Sequence, residues 1–383
     1  MKKIMVVSGT RSEYGLLKHV LQKIEASNVL ELQFVVTGTH LSDKFGNTID
    51  EIRSDGINIT AQIPMLLESD KTSAIATSMS IEMLHLSSIM ERLKPDIVLI
   101  IGDRFEILTV ATVATVMSIP IAHIAGGEIS YGSTDEQIRH AITKMSHIHF
   151  AEAKEYADNI IKMGEESWRV HNVGALGIEN IRHLKLLTMK ELAKQGLKVN
   201  KKTTILTTYH ATTLELDSLK EDVDQLLSAI EQLKDFDFII TYPNADNGGL
   251  YIIDRLTEFS KQHENITLVK SLGTLKYLSV MKHCALVLGN SSSALIEAPY
   301  LKKPVVNIGN RQKGRLMAEN VVSVTNDTTS ILDGIKLVLD KDLSKIKNLY
   351  EYGNTSSYII KILEEIVIND KLRQKLLTWD IPQ

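Results

Sequence analysis

The first half of the chain alternates apolar runs with segments whose apolar residues recur at helical spacing. Apolar runs predict strands at five places, 3–8, 32–37, 97–101, 119–123 and 147–151. Residues 16–24 repeat leucine, valine and isoleucine at the spacing of one helix face, and a helix is predicted at 105–117. The run 97–101 lacks polar alternation, as expected of a strand covered on both faces. This order predicts a parallel sheet with right-handed crossovers.

The same alternation begins again after residue 200 and predicts a second sheet. Strands are predicted at 203–208, 236–241, 266–269, 285–288, 304–308 and 321–324, and helices at 217–233, 249–262 and 274–282. A last helix is predicted at 355–377, long enough to cross back onto the first domain. The chain is therefore predicted to form two α/β domains. The first is 1–172 joined by the C-terminal segment 355–383, and the second is 173–354.

Length and charge narrow the classes of protein that this chain can represent. Its 383 residues give room for two such domains, and 44% hydrophobic residues are ordinary for a soluble globular protein. The net charge of −4 argues against nucleic acid or an anionic membrane as a partner. No apolar segment approaches the ~20 residues of a membrane span. The apolar run 4–7 ends at Ser8-Gly9, which favours a first strand over a signal peptide.

Cysteine and histidine usage points to a reducing compartment and to chemistry without a metal. The single cysteine, Cys284, stands in an apolar run, so it can form no internal disulfide and is expected to pack in the core. We therefore predict a cytoplasmic protein. The 12 histidines show no paired ligand spacing, and His147 and His149 are expected to be structural or surface residues rather than metal ligands. Because no Gly-x-Gly-x-x-Gly or Walker loop is present, no nicotinamide or other cofactor is predicted.

Candidate chemistry is concentrated in five polar strings, each placed where a predicted strand stops and a turn or helix begins. They are Gly9-Thr10-Arg11-Ser12-Glu13, Gly102-Asp103-Arg104, His123-Ile124-Ala125-Gly126-Gly127-Glu128, Asp135-Glu136-Gln137-Ile138-Arg139-His140 and Gly289-Asn290-Ser291-Ser292-Ser293. In parallel α/β sheets, ligands bind beyond the carboxyl ends of the strands. The residue types in these strings suit a phosphorylated substrate on which carboxylates act.

Three of the polar segments could bind phosphate. Arg11 could clamp a phosphate through two hydrogen bonds, or it could be a surface residue paired with Glu13. The serines at 291–293 begin a short helix, where N–H groups and hydroxyls form an anion site; alternatively, a serine only caps that helix. Glu297, one turn further, could accept hydrogen bonds from ribose hydroxyls. The basic loop 311–315 could lie near phosphates or could be a solvated loop.

Two aspartates and a histidine are placed where acid–base chemistry could occur. Asp103 directly follows a strand and could take a proton from a substrate. Asp135 and Arg139, four residues apart at a predicted helix start, could be catalytic or could form an ordinary stabilising pair. His210 could donate to a phosphate or sugar oxygen, or it could be structural. The turn 242–249 also lies at the end of a strand on this side of its sheet.

Taken together, these segments resemble the UDP-N-acetylglucosamine 2-epimerases, specifically the hydrolysing branch of sialic-acid pathways. The resemblance runs from Gly9-Thr10-Arg11 to the loop 311–315 and so covers nearly the whole chain. Ser12 and the segments 126–128 and 135–140 match the hydrolysing pattern, whereas the non-hydrolysing branch has Gly-Thr-Arg-Pro-Glu and His-Val-Glu-Ala-Gly-Leu-Arg. The resemblance implies two Rossmann-like α/β domains in a glycosyltransferase-B arrangement, with the active site in the interdomain cleft.

The resemblance also implies roles for individual residues. It implies catalytic roles for Asp103, Asp135 and Arg139, with Glu128 as a further candidate. It implies substrate binding by Arg11, Arg104, His210, Asn244, Ser291, Ser292, Glu297, Arg311 and Arg315. A UDP-sugar substrate and a UDP product are the expected partners, without nucleic acid, membrane, metal or cofactor. We further expect a homodimer or homotetramer.

In such enzymes a base removes the proton at sugar carbon 2, and UDP leaves to give a 2-acetamidoglucal. Water then adds and releases the sugar with carbon 2 inverted, so that UDP-N-acetylglucosamine would give N-acetylmannosamine. The residue chemistry agrees independently. Inverting a carbon that bears no leaving group requires removal and return of a proton, which carboxylates can perform without metal or hydride cofactor. The departing diphosphate needs positive charge and N–H donors.

One position departs from the family pattern. The sialic-acid enzymes have His-Ile-Glu-Gly-Gly-Glu, whereas this chain has Ala125 in the third place, and its spacer from Glu128 to Asp135 is one residue longer. Glu128 and Glu136 are the carboxylates that could take over the missing function. A related subgroup acts on the 2,4-diacetamido-trideoxy sugar nucleotide of legionaminic-acid synthesis, and a smaller residue could make room for its acetamido group at carbon 4.

Two other functions are compatible with the same residues. A glycosyltransferase of this fold would use a UDP-sugar and an acceptor other than water, and the serine segment at 291–293 does not distinguish it from an epimerase. A sensor that binds a UDP-sugar without turnover is favoured by Ala125 and disfavoured by Asp103 and Asp135. Release of UDP in the absence of an acceptor would separate these possibilities.

Overall fold

The computed structural model of the chain describes residues 1–43, 46–69, 71–244, 246–376 and 378. The first part of the chain contains strands β1 (Lys2–Ser8), β2 (Leu30–Thr37), β3 (Ala61–Ile63), β4 (Ile97–Ile101), β5 (Ile121–Ile124), β6 (Ile148–Ala151) and β7 (Val170–Asn172). Its helices are α1 (Arg11–Glu25), α2 (Ile49–Ser54), α3 (Thr72–Leu93), α4 (Phe105–Val116), α5 (Asp135–Met145), α6 (Lys154–Lys162) and α7 (Leu176–His183).

The remainder of the chain repeats this alternation. Its strands are β8 (Thr204–Thr208), β9 (Asp237–Thr241), β10 (Ile266–Val269), β11 (Leu286–Gly289), β12 (Val305–Ile308) and β13 (Val321–Val324). Its helices are α8 (Met189–Lys194), α9 (Leu219–Gln232), α10 (Gly249–Ser260), α11 (Gly273–His283), α12 (Ser293–Tyr300), α13 (Thr328–Leu339), α14 (Thr355–Glu365) and α15 (Asp370–Arg373).

The strands form two parallel sheets with the strand order of doubly wound α/β folds. The first sheet runs β3-β2-β1-β4-β5-β6-β7, and the second runs β10-β9-β8-β11-β12-β13. In each sheet the order reverses once, between β1 and β4 in the first and between β8 and β11 in the second. Ligands of such folds bind outside the carboxyl ends of the strands at this reversal. The predicted fold class, two Rossmann-like α/β domains, is confirmed.

The first sheet is covered on both faces, as the unbroken apolar run of β4 predicted. Alternate residues of β1 enter different cores: Ile4 and Val6 pack with α1, whereas Met5 and Val7 pack with α3 and α4. All five residues of β4 are buried. This two-sided burial explains why the central strands lack polar alternation.

The chain divides into two compact units. The first comprises 1–128, 135–180 and 350–383, and the second comprises 129–134 and 181–349. The sequence predicted boundaries at 172/173 and 354/355, whereas the units divide at 180/181 and 349/350. It did not predict that the short segment 129–134 would pack with the second unit.

The single helix predicted at 355–377 is wrong. The structure has α14, which ends at Glu365, and the one-turn α15, which begins at Asp370. Ile366 leaves the helix with ψ of 129°, and the Asn369 side chain caps α15 by accepting a hydrogen bond from the Leu372 N–H at 3.0 Å. Leu377, the last residue of the predicted helix, lies outside the described residues.

The structure also contains elements that the sequence patterns did not predict. They include the short edge strands β3 and β7, the long helix α3 and the helices α2, α6, α7, α8 and α13. Cys284 is buried as expected, and burial raises the pKa of its thiol to about 12. Among the described residues, no helix combines the length and the apolar character that a membrane span requires.

Candidate active site

The loop after β1 turns directly into α1 through a capping box. The Thr10 hydroxyl accepts a hydrogen bond from the Glu13 N–H at 3.3 Å, and the Glu13 carboxylate accepts from the N–H groups of Thr10 and Gly9 at 3.2 and 2.7 Å. Because Glu13 binds its own loop in this way, it is not the simple surface partner of Arg11 that one interpretation required. Arg11 is the first residue of α1, at the carboxyl edge of the first sheet.

A buried group of carboxyl side chains lies beside this loop. Arg104 donates to Glu106 through Nε at 3.2 Å and Nη2 at 3.4 Å, and Glu106 is fully buried. Burial, followed by the charge of Glu106, raises the pKa of Glu13 to about 8 and that of Glu82 well above its ordinary value. Glu13 is therefore largely protonated at neutral pH, whereas Arg104 and Glu106 form an ion pair. The sequence did not single out Glu82 or Glu106.

Asp103 follows β4 and forms an ion pair with Arg139 of α5. The Arg139 side chain is only 1% exposed, and its Nη1 donates to the Glu128 carbonyl at 3.1 Å and to the Glu136 carboxylate at 3.0 Å. The Asp103 side chain is 19% exposed. One buried guanidinium therefore joins the loop after β4, the loop after β5 and the start of α5, and holds Asp103 where solvent still reaches it.

His123 of β5 binds the loop after β4 that contains Asp103. Its Nε2 donates to the Gly102 carbonyl at 2.7 Å, and burial lowers the pKa of this histidine to about 4. The ring is therefore neutral, with its proton on Nε2. This contact was missed because it joins two strands that are neighbours in space and separate in sequence.

The glycine-rich loop after β5 has an unusual backbone. Ala125 has φ of +66°, although it is not a glycine, and it packs against the core of the first unit. Gly127 has φ of +77°, and a Cβ there would lie 2.2 Å from the Tyr156 carbonyl oxygen, so only glycine fits. The Asn159 side chain donates to the Gly127 carbonyl at 3.0 Å. Glu128, the last residue of this loop, is buried.

In the second unit, His210 and Asn244 meet beyond the ends of β8 and β9. The Asn244 N–H donates to Nδ1 of His210 at 3.1 Å, which places the proton of the neutral ring on Nε2. The Asn290 side chain binds the His210 backbone at both polar groups, with distances of 2.7 and 2.9 Å. His210 is thus fixed in position and tautomer, as a hydrogen-bond donor at the edge of the sheet.

The serine segment after β11 begins α12, as predicted. Gly289 has φ of +133°, and a Cβ there would lie 2.1 Å from the Thr208 carbonyl oxygen, so glycine allows β11 to approach β8. Ser291 and Ser292 are partly exposed at the start of the helix. In α12, burial raises the pKa of Glu297 to about 7, and its Oε2 has no hydrogen-bond partner within the described part of the chain. A buried acceptor of this kind is suited to ligand hydroxyls.

The basic loop after β12 is held against the serine segment rather than freely solvated. Arg311 Nη1 and Gln312 Nε2 both donate to the Asn290 carbonyl, at 3.2 and 2.7 Å. The Arg315 N–H donates to the Gln312 carbonyl at 3.1 Å, which closes the loop on itself. The structure therefore brings His210, the serine segment and Arg311 together around Asn290.

The segment 129–134, which joins Glu128 to Asp135, packs on this loop within the second unit. The Tyr131 N–H donates to the Lys313 carbonyl at 3.0 Å, and the Thr134 N–H donates to the Thr213 hydroxyl at 3.0 Å. Within the described ranges, no cluster of three histidine, cysteine or acidic side chains is arranged to hold a metal ion.

The fold and these residues define a two-unit α/β protein with serine, histidine and arginine side chains at the carboxyl edge of one sheet and an Asp103–Arg139 ion pair at the carboxyl edge of the other. A model of the family described as UDP-N-acetylglucosamine 2-epimerase matches residues 22–364. The chain belongs to this family and to its hydrolysing branch, as its motifs predicted.

Curated relatives are similar to this chain in sequence, and a solved structure is similar to it in fold. A "GDP/UDP-N,N'-diacetylbacillosamine 2-epimerase (hydrolyzing)" of Campylobacter jejuni is 41% identical over 85% of both chains. A "UDP-N,N'-diacetylbacillosamine 2-epimerase (hydrolyzing)" of Legionella pneumophila is 34% identical and covers 98% of this chain and 99% of its own. The fold is similar to that of UDP-GlcNAc 2-epimerase from Neisseria meningitidis bound to UDP-GlcNAc, with TM-score 0.79, 21% identity and coverage of 94% and 99% of the two chains.

Proposed function

We propose that the protein is a hydrolysing 2-epimerase of UDP-linked 2,4-diacetamido-2,4,6-trideoxyglucose, the sugar also called N,N'-diacetylbacillosamine. Asp103, held at the strand reversal of the first sheet by the buried Arg139, is the observation that carries the reaction class. The names of the relatives from Campylobacter jejuni and Legionella pneumophila support the sugar. Ala125 supports it as well, because a small residue there would leave room for an acetamido group at carbon 4.

The proposed reaction consumes one water and releases UDP and the free sugar. A carboxylate removes the proton from carbon 2, the bond from carbon 1 to the diphosphate oxygen breaks, and a glycal remains. Water adds at carbon 1, and a proton returns to carbon 2 from the opposite face. We assign the two proton transfers to Asp103 and to an acid near the start of α5, either Asp135 or Glu128.

Arg139 has a positioning role in this proposal. Its guanidinium is buried and binds Asp103, Glu136 and the Glu128 carbonyl, so its hydrogen bonds are directed at the protein. It orients the Asp103 carboxylate and ties the neighbouring loops to it. The earlier expectation of a catalytic role is therefore narrowed to orientation of the group that transfers the proton.

The proposed leaving-group site consists of the polar side chains at the edge of the second sheet, and the family resemblance adds Arg11 and Arg104 to the residues expected to bind the substrate. Neutral His210 and the arginines stabilise the charge that develops on the diphosphate, and Glu297 accepts from ribose. The proposed contacts are those of Arg11, Arg104, His210, Asn244, Ser291, Ser292, Glu297, Arg311 and Arg315.

UDP-N-acetylglucosamine is the second candidate substrate. A UDP-N-acetylglucosamine 2-epimerase of Neisseria meningitidis serogroup B is 28% identical over the full chain, lower than the two diacetylbacillosamine enzymes. A pocket that only gains room discriminates by ~1–3 kcal/mol, so the enzyme could turn over both sugars at different rates.

The substrate is tested by incubating the pure protein with each nucleotide sugar in the absence of an acceptor. The arms are UDP-linked and GDP-linked N,N'-diacetylbacillosamine and UDP-N-acetylglucosamine, with nucleoside diphosphate and freed sugar both measured. We expect the highest kcat/KM for the UDP-linked diacetamido sugar, with its 2-epimer as the product. Retention of every nucleotide sugar until an acceptor is added would support a glycosyltransferase instead.

Ala125→Glu tests whether this position selects the sugar. The larger side chain should lower kcat/KM for the diacetamido sugar and shift the preference toward UDP-N-acetylglucosamine. An unchanged ratio of the two kcat/KM values would remove Ala125 from the argument for the diacetamido substrate.

A further inference from the structure

Asn290 is fully buried at the end of β11, and every polar group it presents to the neighbouring loops is occupied. We propose that Asn290 is the positioning residue of the nucleotide site, which sets the places of His210 and Arg311 without itself contacting the ligand. This inference rests on the proposed function for the identity of the ligand, a nucleoside diphosphate.

The Asn290 side chain extends the ladder between β8 and β11 beyond the last paired residues. Its Oδ1 accepts from the His210 N–H at 2.7 Å, and its Nδ2 donates to the His210 carbonyl at 2.9 Å. The Asn290 N–H also donates to the Thr208 carbonyl at 3.1 Å. A carboxamide can donate and accept at the same time, as a backbone peptide does in a sheet. It therefore holds His210 as a sheet residue although the strand has ended.

The Asn290 backbone carbonyl holds the loop after β12 in place. It accepts from Nη1 of Arg311 at 3.2 Å and from Nε2 of the buried Gln312 at 2.7 Å. The loop after β12 is thereby joined to the loop after β8 through one residue. Ser291 and Ser292 directly follow Asn290. The loop after β8, the serine segment and the loop after β12 are therefore all attached to this one residue.

The chemistry of the side chain predicts which replacements fail. Alanine leaves the His210 N–H and carbonyl without their partner. Aspartate has the right shape, but an ionised carboxylate cannot donate to the His210 carbonyl and would repel it. Both variants should release His210 from its place, whereas the ligand-contacting serines remain present. The expected loss is therefore in nucleotide affinity.

The test uses calorimetric titration of the full-length protein with UDP alone, so it does not depend on turnover. Asn290→Ala should weaken UDP binding by roughly tenfold to a hundredfold, the range found when the outer hydrogen-bond partner of a metal-binding side chain is removed. Asn320→Ala is the matched control. Asn320 is also buried in the second unit and donates to the Lys303 carbonyl at 2.8 Å, but it precedes β13 at the other end of its sheet. The UDP affinity of the Asn320→Ala variant should stay within about twofold of wild type.

A multiple-mutant cycle separates positioning from general structural support. In a His210→Ala, Arg311→Ala background, adding Asn290→Ala should change UDP affinity by no more than about twofold, because the groups through which it acts are gone. An unchanged tenfold or greater loss in that background would overturn the proposal.

The isosteric variant keeps the proposal testable if Asn290→Ala does not fold. The UDP affinity of Asn290→Asp, divided by that of wild type at the same pH, should rise on acidification, because a protonated carboxyl can again donate to the His210 carbonyl. A ratio that does not change with pH would contradict the positioning role. If wild type binds neither UDP nor GDP, both this inference and the nucleotide site fail. If it binds UDP but hydrolyses no nucleotide sugar, only the proposed reaction fails.

Discussion

Arg139 and Asp103 form an ion pair whose two members differ sharply in their access to solvent. Arg139 is almost fully buried and binds protein acceptors through both terminal nitrogens, whereas the Asp103 side chain is partly exposed. A buried arginine that fixes a partly exposed carboxylate is the arrangement expected if Asp103 is the general base of the proposed reaction, because such a group must be oriented accurately.

Asp103→Asn should therefore reduce kcat and leave UDP affinity nearly unchanged. The amide has the shape of the carboxylate but cannot remove a proton, and general acid–base groups typically contribute ~10²–10⁴-fold to the rate. Steady-state kinetics and UDP titration provide the two readouts. Asp96→Asn is the control, because Asp96 accepts from the Lys3 N–H at 2.8 Å near the opposite end of β4. A variant of Asp103 that loses UDP affinity and keeps its kcat would contradict the assignment.

Glu297 gives a residue-level prediction about pH. Burial raises its pKa to about 7, and ribose hydroxyls bind best to its ionised form. UDP affinity should therefore fall as the pH is lowered through about 7, and UDP binding below that pH should release a proton from the protein. Calorimetry in buffers of different ionisation enthalpy measures that proton.

Glu297→Gln is the matched variant for this experiment. This variant should bind UDP more weakly above pH 7. The part of the pH dependence of UDP affinity that Glu297 contributes should be absent, so that only the titration of the diphosphate remains. Identical pH profiles for wild type and Glu297→Gln would show that Glu297 does not titrate in contact with the ligand.

At the level of elements, α3 shows why some of the architecture was missed. Its buried positions are Ser78, Glu82, Leu86 and Met90, so two of its four inward residues are polar. An apolar periodicity of that kind is too weak to predict a helix. The strands β3 and β7 are three residues long at the edges of the first sheet, too short to produce a pattern. The buried runs of β1 and β4 were predictable because both faces of those strands are covered.

The candidate site also contains residues that the sequence predicted and residues that it did not. Asp103 and His210 were predictable as candidates because polar residues directly after buried strands must lie at the ligand-binding edge. The role of His123 was not, because it depends on a contact between β5 and the loop after β4. Glu106 pairs with Arg104 only two residues before it, but its burial against the loop after β1 follows from the packing of α4. Asn290 lies in the polar string 289–293, but its contacts with the loops after β8 and β12 arise only in the folded protein.

The burial of Glu82 in α3 predicts a pH dependence of stability. Because burial raises the pKa of Glu82 well above the ordinary value of 4.5, the folded protein retains a proton that the unfolded chain releases. This stabilisation is fully present below about pH 4.5 and is lost as the pH rises through the folded-state pKa. Glu13 contributes with the same sign, since its pKa is raised to about 8.

Glu82→Gln should accordingly flatten the fall in the free energy of unfolding between about pH 5 and about pH 7, by up to ~1.4 kcal/mol per pH unit. Urea denaturation at both pH values measures the change. Glu91→Gln, on the exposed face of α3, serves as the control and should leave the slope as it is in wild type. A slope unaltered by Glu82→Gln would mean that Glu82 keeps no proton in the folded protein.

At the scale of the whole molecule, the two units bear different parts of the proposed reaction. The first has the acid–base residues around Arg139, and the second has the anion-binding edge around Asn290. The segment 129–134 packs with the second unit, yet it lies between Glu128 and Asp135 in the chain. The placement of the active site between the domains, and assembly into a homodimer or homotetramer, remain predictions from the family resemblance.

Every step of the proposed reaction is assigned to side chains of the protein. Enzyme treated with a chelator and freed of small molecules should therefore retain its full kcat, measured as release of UDP. Loss of activity that is restored by an added divalent metal would contradict a mechanism that depends on carboxylates alone.

Proton exchange at carbon 2 is the central claim, and the reaction in heavy water tests it most directly. The proton that a carboxylate removes exchanges with solvent before or during its return. We predict that the freed sugar, analysed by NMR and mass spectrometry, contains one deuterium at carbon 2 with that centre inverted. A product with inverted carbon 2 that retains its original hydrogen there would contradict the elimination mechanism.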